Sequence, residues 1–73
     1  MMTVTGAALP NPLNFRHQQV LRFAETGATT RATAQALGMK QGTVRGHLSD
    51  LLRILQVRSR VEAARQARTR GWI

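Results

Sequence analysis

Apolar residues in this chain recur at intervals of three and four, and no segment alternates, so helices are predicted and strands are not. The clearest stripe runs from Gln41 to Leu55. On a wheel of about 100° per residue, Val44, Leu48, Leu51 and Leu55 fall within roughly 60° of one another, with Leu52 at the border. Upstream, Asn14 is a plausible N-cap for a helix over about 15–26 in which Val20, Leu21 and Ala24 share a stripe, with Phe23 nearby, and Gly27 ends it. Thr29 can cap a shorter helix over about 30–37, where Ala34 and Leu37 face inward before a tight turn at Gly38. A last helix over about 59–70 is closed by Gly71. The fold class is therefore all-α, with four helices. Residues 1–12, small, proline-bearing and uncharged, read as a flexible lead, and residues 13–73 as the single domain.

A chain of 73 residues supports one small core and leaves no room for a catalytic domain beside a regulatory one. Eleven Lys and Arg against three acids give a formal charge of +8, which draws the molecule to polyanions, nucleic acid first among them. Cysteine is absent and the two histidines stand 30 positions apart, so neither a disulfide framework nor a metal site is expected. No apolar run is long enough for a membrane span, and the N-terminal segment has no signal-peptide pattern, so the expected location is cytoplasmic. An enzyme is excluded on inventory. The chain has no paired carboxylate, no Cys nucleophile, no phosphate-binding Gly-rich loop and no core large enough to exclude water from a reaction. No cofactor and no small-molecule ligand are expected.

The face of helix three opposite its apolar stripe gathers Gly42, Arg45, Gly46, Ser49 and Arg53, flanked by Thr43 and Asp50. A solvated helix surface is the plainer reading of such a face. Two glycines count against it, because each costs about 0.5–1 kcal/mol relative to Ala in a helix, a cost that makes sense where a backbone must come close to something. A short helix, a tight glycine turn and a longer helix with a basic outer face make a helix-turn-helix, whose second helix lies in the major groove of DNA.

These residues resemble the LuxR-type (GerE-type) helix-turn-helix domain of bacterial transcription regulators. The resemblance is carried by Leu13, Asn14, Arg16, Val20 and Leu21 in helix one, and by Gly27, Ala34, Leu37 and Gly38 around helix two. It continues through Thr43, Val44, Arg45 and His47, then Leu51 and Leu55, and ends in "VRSRVEAARQA" with Val57, Ser59, Arg60, Glu62 and Ala63. It covers about Leu13 to the C-terminus. The departures lie at the caps. The acid that usually follows the caps of helices one and two is here His17 and Ala32, so both capping boxes are expected to lose it, and Lys40 stands where the family has a capping Ser before helix three. Each lost cap costs about 0.5–2 kcal/mol, which predicts a less stable domain than its relatives. Most of the family carries this domain behind a receiver or ligand-binding domain, and the expectation here is a free-standing regulator without a sensor.

Position by position, the resemblance implies base-edge contacts from Arg45, Gly46 and Ser49. Arg45 has the forked donor geometry for guanine, Gly46 offers close backbone approach, and Ser49 can bond a purine or a phosphate. Thr29, Thr30 and Arg31 at helix two, with Thr43 and Arg53 on helix three, read as phosphate contacts that fix register. Asp50 is read as an ion-pair partner of Arg53. In the family the last helix commonly forms the dimer contact, and Ala63, Ala64 and Ala67 are the small residues that would let two copies approach. His47 reads as structural, His17 as a surface residue, and Trp72 as closing either the core or the dimer seam.

The expected function is a sequence-specific, DNA-binding transcription regulator, a weak homodimer stabilised on double-stranded DNA. The rival is a small modulator, of a phage or mobile-element type, that uses the fold to bind a larger regulator or RNA polymerase.

Overall fold

The computed structural model describes residues 11–73, which form four helices and no strand. They are α1 (Phe15–Glu25), α2 (Thr30–Leu37), α3 (Gln41–Leu55) and α4 (Arg60–Thr69), so the predicted elements are all present, with ends that differ by a residue at most. Among the described residues no helix is long and apolar enough to cross a membrane. Of the lead predicted over 1–12, residues 1–10 lie outside the described residues. Asn11 accepts a hydrogen bond from the Leu13 N–H at 2.9 Å, and its amide donates to the Trp72 carbonyl at 3.4 Å.

α3 is the hub. It packs on α1, α2 and α4, and α1 packs in turn on α4. Val44, Leu51 and Leu55 on α3 are buried, while Leu48 and Leu52 at the edge of the stripe are half-buried, the gradation expected when a helix is covered from three sides. Val20 and Leu21 of α1 meet them. Burying each of these side chains contributes about 1.5–3 kcal/mol, so a handful dominates the stability of so small a core.

α4 contributes almost nothing but methyl groups to that core. Ala63, Ala64 and Ala67 are 0%, 2% and 0% exposed. Their small size lets the helix lie close on its neighbours. The chain then returns on itself. Gly71 takes the left-handed conformation (φ 74°), the Trp72 N–H donates to the Ala67 carbonyl at 2.7 Å, and the indole covers the open end of the core at 7% exposure. Of the two roles predicted for Trp72, closing the core is the one observed. The Arg70 guanidinium lies 5.3 Å from the ring centroid, a cation–π distance. At the rim, Arg68 donates to both carboxylate oxygens of Glu25 at 2.6 and 2.9 Å, clamping α4 to the end of α1. Those hydrogen bonds hold the Glu25 carboxyl below the usual carboxylate range.

The caps correct the sequence reading at His17. The absence of an acid predicts an incomplete capping box on α1 and a surface histidine. In the structure His17 is buried, and the box is complete. The Asn14 side chain accepts from the His17 N–H at 2.8 Å, and His17 Nδ1 accepts from the Asn14 N–H at 3.4 Å. The reason is periodicity. His17 stands three and four residues before Val20 and Leu21, on the stripe that α1 buries, and a neutral imidazole offers the same acceptor that a carboxylate would. Its ring meets His47 of α3 edge-on, with centroids 5.6 Å apart. The other caps follow the sequence. Thr29 accepts from the Ala32 N–H at 3.0 Å, whereas Lys40 makes no side-chain cap. α3 ends at Gln56 in the left-handed region (φ 56°), a conformation costing a non-glycine residue about 1–2 kcal/mol.

The His17 cap makes stability depend on pH. Burial, reinforced by His47 and opposed by Asp50, lowers the His17 pKa below its ordinary value of about 6.5. The folded state therefore favours the neutral ring. The stabilisation is complete above about pH 6.5 and is lost as pH falls from there through the folded-state value, because the unfolded chain binds the proton more readily. Thermal unfolding between pH 7.5 and 5 should show the midpoint falling with acid, and His17→Gln, which keeps a neutral acceptor, should flatten that fall.

Candidate nucleic-acid interface

α2 and α3 are joined by a turn built on Gly38, which takes the left-handed conformation (φ 67°) while the Met39 N–H donates to the Ala34 carbonyl at 2.9 Å. The turn sets the angle between the helices, and the buried stripe of α3 sets that helix's rotation. With Val44, Leu51 and Leu55 turned inward, Gly42, Arg45, Gly46, Ser49 and Arg53 all lie exposed on one outer face, with Thr43 beside them. Thr29 and Arg31 at the start of α2 are exposed and Thr30 is half-buried.

The side chains on this face are held lightly. Arg45 donates to Gln41 Oε1, one turn back, at 3.3 Å, so its guanidinium is supported yet outward-facing. Arg53 pairs with Asp50 at 2.9 Å, as predicted. That pair is exposed, its side chains 74% and 46% accessible, and pairs of this kind are worth about 0.2–1 kcal/mol. Arg53 can therefore leave Asp50 at little cost. Neither α2 nor α3 has an acid in its first turn, and α3 has no side-chain cap, so no negative charge offsets the positive dipole end of either helix.

Among the described residues nothing packs against the two glycines of α3. A Cβ built on Gly42 or on Gly46 meets nothing within 4 Å, and neither residue has a positive φ. The outer face of α3 beside them is therefore open space.

The three alanines assigned to a dimer seam lie elsewhere. Ala63, Ala64 and Ala67 face the chain's own core and offer a second copy almost no surface, because the stripe of small residues that could admit a partner helix is already filled by the neighbouring helices. The apolar side chain that α4 does expose is Val61, at 57%. Sequence reasoning also left Arg60 without a role. The fold carries it to α2, where its Nη1 donates to Thr30 Oγ1 at 3.5 Å across 30 residues of sequence. No local pattern signals that contact.

Residues 11–67 match the family model GerE, bacterial regulatory proteins of the luxR family, and the chain belongs to that family. Its relatives include the transcriptional regulatory proteins YvfU and DesR of Bacillus subtilis (strain 168). They are 43% and 40% identical to it over 63 and 62 residues, which make up 86% and 85% of this chain but 32% and 31% of those proteins. The response regulator RamR of Streptomyces coelicolor (strain ATCC BAA-471 / A3(2) / M145) is 36% identical over 73 residues, 96% of this chain and 36% of its own length. The chain thus spans about a third of the length of the curated relatives it matches. No solved structure gives a significant match.

The free space beside Gly46 yields a test with two readouts of opposite sign. Gly46→Ala should stabilise the domain by about 0.5–1 kcal/mol, since the helix gains propensity and the methyl meets nothing. On DNA the same methyl should cost about 1–3 kcal/mol of binding free energy, as an added group does in a packed contact. Thermal unfolding and DNA titration of the one variant check both.

Proposed function

We propose that residues 13–73 act as a sequence-specific, DNA-binding transcription regulator that lays α3 in the major groove of double-stranded DNA. Two copies bind together on an inverted repeat. The observation that carries this reading is the outer face of α3, where cations, hydroxyls and two glycines with nothing packed against them stand together opposite the buried stripe. Membership of a family of bacterial regulatory proteins supports it.

In this reading Arg45 makes a bidentate contact with guanine O6 and N7, Gly46 lets the backbone approach the base edges, and Ser49 bonds a base within reach. Thr29, Thr30, Arg31, Thr43 and Arg53 bind phosphates and set the register. Arg53 does so by leaving Asp50, which then lies near the groove as a carboxylate able to accept from a cytosine amino group.

Pairing of two copies is part of the same proposal and draws on exposed positions of α4. Val61 is the apolar anchor available, and a single valine makes a weak seam, so the free protein exchanges between monomer and dimer and the aligned half-sites of DNA favour the dimer. Val61→Glu should leave thermal unfolding unchanged, weaken binding to an inverted repeat, and leave binding to a single half-site within about twofold of wild type. Paired titrations of the two duplexes check it.

The arginines separate reading from holding. Arg45→Ala should cost about 1–3 kcal/mol on the preferred site, with much smaller loss on other sequences, so that discrimination at one base pair collapses. Arg53→Ala should weaken binding to all sequences by similar factors and lower the magnitude of the salt slope by about one. Titration of both variants against a selected site and a scrambled one distinguishes the patterns. A wild-type protein with no salt-dependent DNA affinity would overturn the reading in favour of a module that binds a larger regulator or RNA polymerase.

A further inference from the structure

The three acids of the chain are accounted for. Glu25 is held by Arg68 and Asp50 by Arg53, and Glu62 stands two positions beyond Arg60, about 200° round α4. Arg60 therefore has no carboxylate partner among the described residues, although it is half-buried. Its guanidinium donates instead to the Thr30 hydroxyl at 3.5 Å, in the first turn of α2, a helix whose N-terminus no acid compensates. An unpaired guanidinium bonded at the first turn of a helix that has no acid there adds its charge to the positive end of the helix dipole. Such a grouping is relieved by an anion.

The hydrogen bond has a direction, and that direction matters. Arg60 Nη1 donates and Thr30 Oγ1 accepts, which leaves the threonine proton free to be donated outward and polarises it toward an acidic oxygen. The remaining guanidinium N–H groups of Arg60 stay available beside it.

We propose that Arg60 is a DNA-phosphate ligand, completing with the Thr30 hydroxyl a two-residue clamp for one phosphate at the start of α2. The clamp rests on the DNA-binding reading above and adds α4 to the contact surface. Thr30 is then one half of a pair rather than an isolated hydroxyl. The guanidinium neutralises the phosphate and the hydroxyl fixes its position. Because α4 packs on α1 and α3, the clamp also ties the docking angle of α2 to the core of the domain.

The test measures affinity for a short mixed-sequence duplex by fluorescence anisotropy between 50 and 200 mM salt, where non-specific binding reports phosphate neutralisation alone. Arg60→Gln keeps a donor for Thr30 and removes the charge. It should unfold at the wild-type temperature and lower the magnitude of the salt slope by about 0.9, so that its affinity falls about 3.5-fold less than wild type across that range. Arg60→Lys should keep the slope. Arg65→Gln, on the same helix about 140° away, should change it little. An Arg60→Gln slope equal to wild type would overturn the clamp while leaving the DNA reading intact, and so would an equal loss in Arg65→Gln, which would reduce the effect to overall charge. Loss of slope in Arg60→Lys as well would trace it to packing and also overturn the clamp. A wild-type protein without any salt slope would remove the DNA-binding reading and the clamp together.

Discussion

The burial of one helical stripe governs this molecule. Val44, Leu51 and Leu55 of α3 must leave water, and α1, α2 and α4 are the surfaces they leave it for. A helix covered along one stripe cannot rotate about its axis, so the same contacts that stabilise the core turn Gly42, Arg45, Gly46, Ser49 and Arg53 outward as a set. Core and candidate site are the two sides of a single element. A substitution such as Leu51→Ala would cost about 2–5 kcal/mol of stability and would also release the rotation on which the outer face depends.

Electrostatics then act on a surface with few acids to moderate it. Of the carboxylates, Glu25 joins α4 to α1, Asp50 holds Arg53 loosely on the outer face, and Glu62 lies in the first turn of α4 beside the Ser59 cap. Arg31 and Arg60, at the starts of α2 and α4, pair with no carboxylate among the described residues. The resulting imbalance costs the free domain some self-repulsion, which an approaching polyanion would relieve, so the charge distribution favours association while it weakens the isolated fold.

The caps show how a domain with so little acid stays folded. His17 stands in for a glutamate by using a neutral ring nitrogen as the acceptor, which keeps the end of α1 satisfied and adds apolar area to the core. That substitution introduces a proton-sensitive group where a carboxylate would have stayed ionised down to much lower pH. At Lys40 and Gln56 no such replacement exists. α3 begins without a side-chain cap and ends on a strained left-handed residue. The weakest local chemistry thus lies at the two ends of the helix with the strongest packing, where tertiary contacts can offset it.

Several features were legible in the residues themselves. Spacing of three and four located all four helices, glycines marked the turns, and the wheel of α3 separated core from outer face, because these depend on neighbours within a turn or two of chain. The Asp50–Arg53 pair, three residues apart on one helix, belongs to the same class. Other features depend on which stripe meets which, and local pattern carries no such information. A stripe of small residues suits a partner helix from another copy or from the same chain equally well, and only the closed packing committed Ala63, Ala64 and Ala67 to the chain's own core. A histidine reads as polar until the covering helices bury it, as α3 does at His17 through His47. The Arg60–Thr30 contact spans two elements 30 residues apart, and it exists because α3 holds α2 and α4 at a fixed angle. The sequence by itself determined the helices and the chemistry each could carry; the tertiary structure decided which of those groups meet, since the angles between helices follow from mutual packing and from no residue alone.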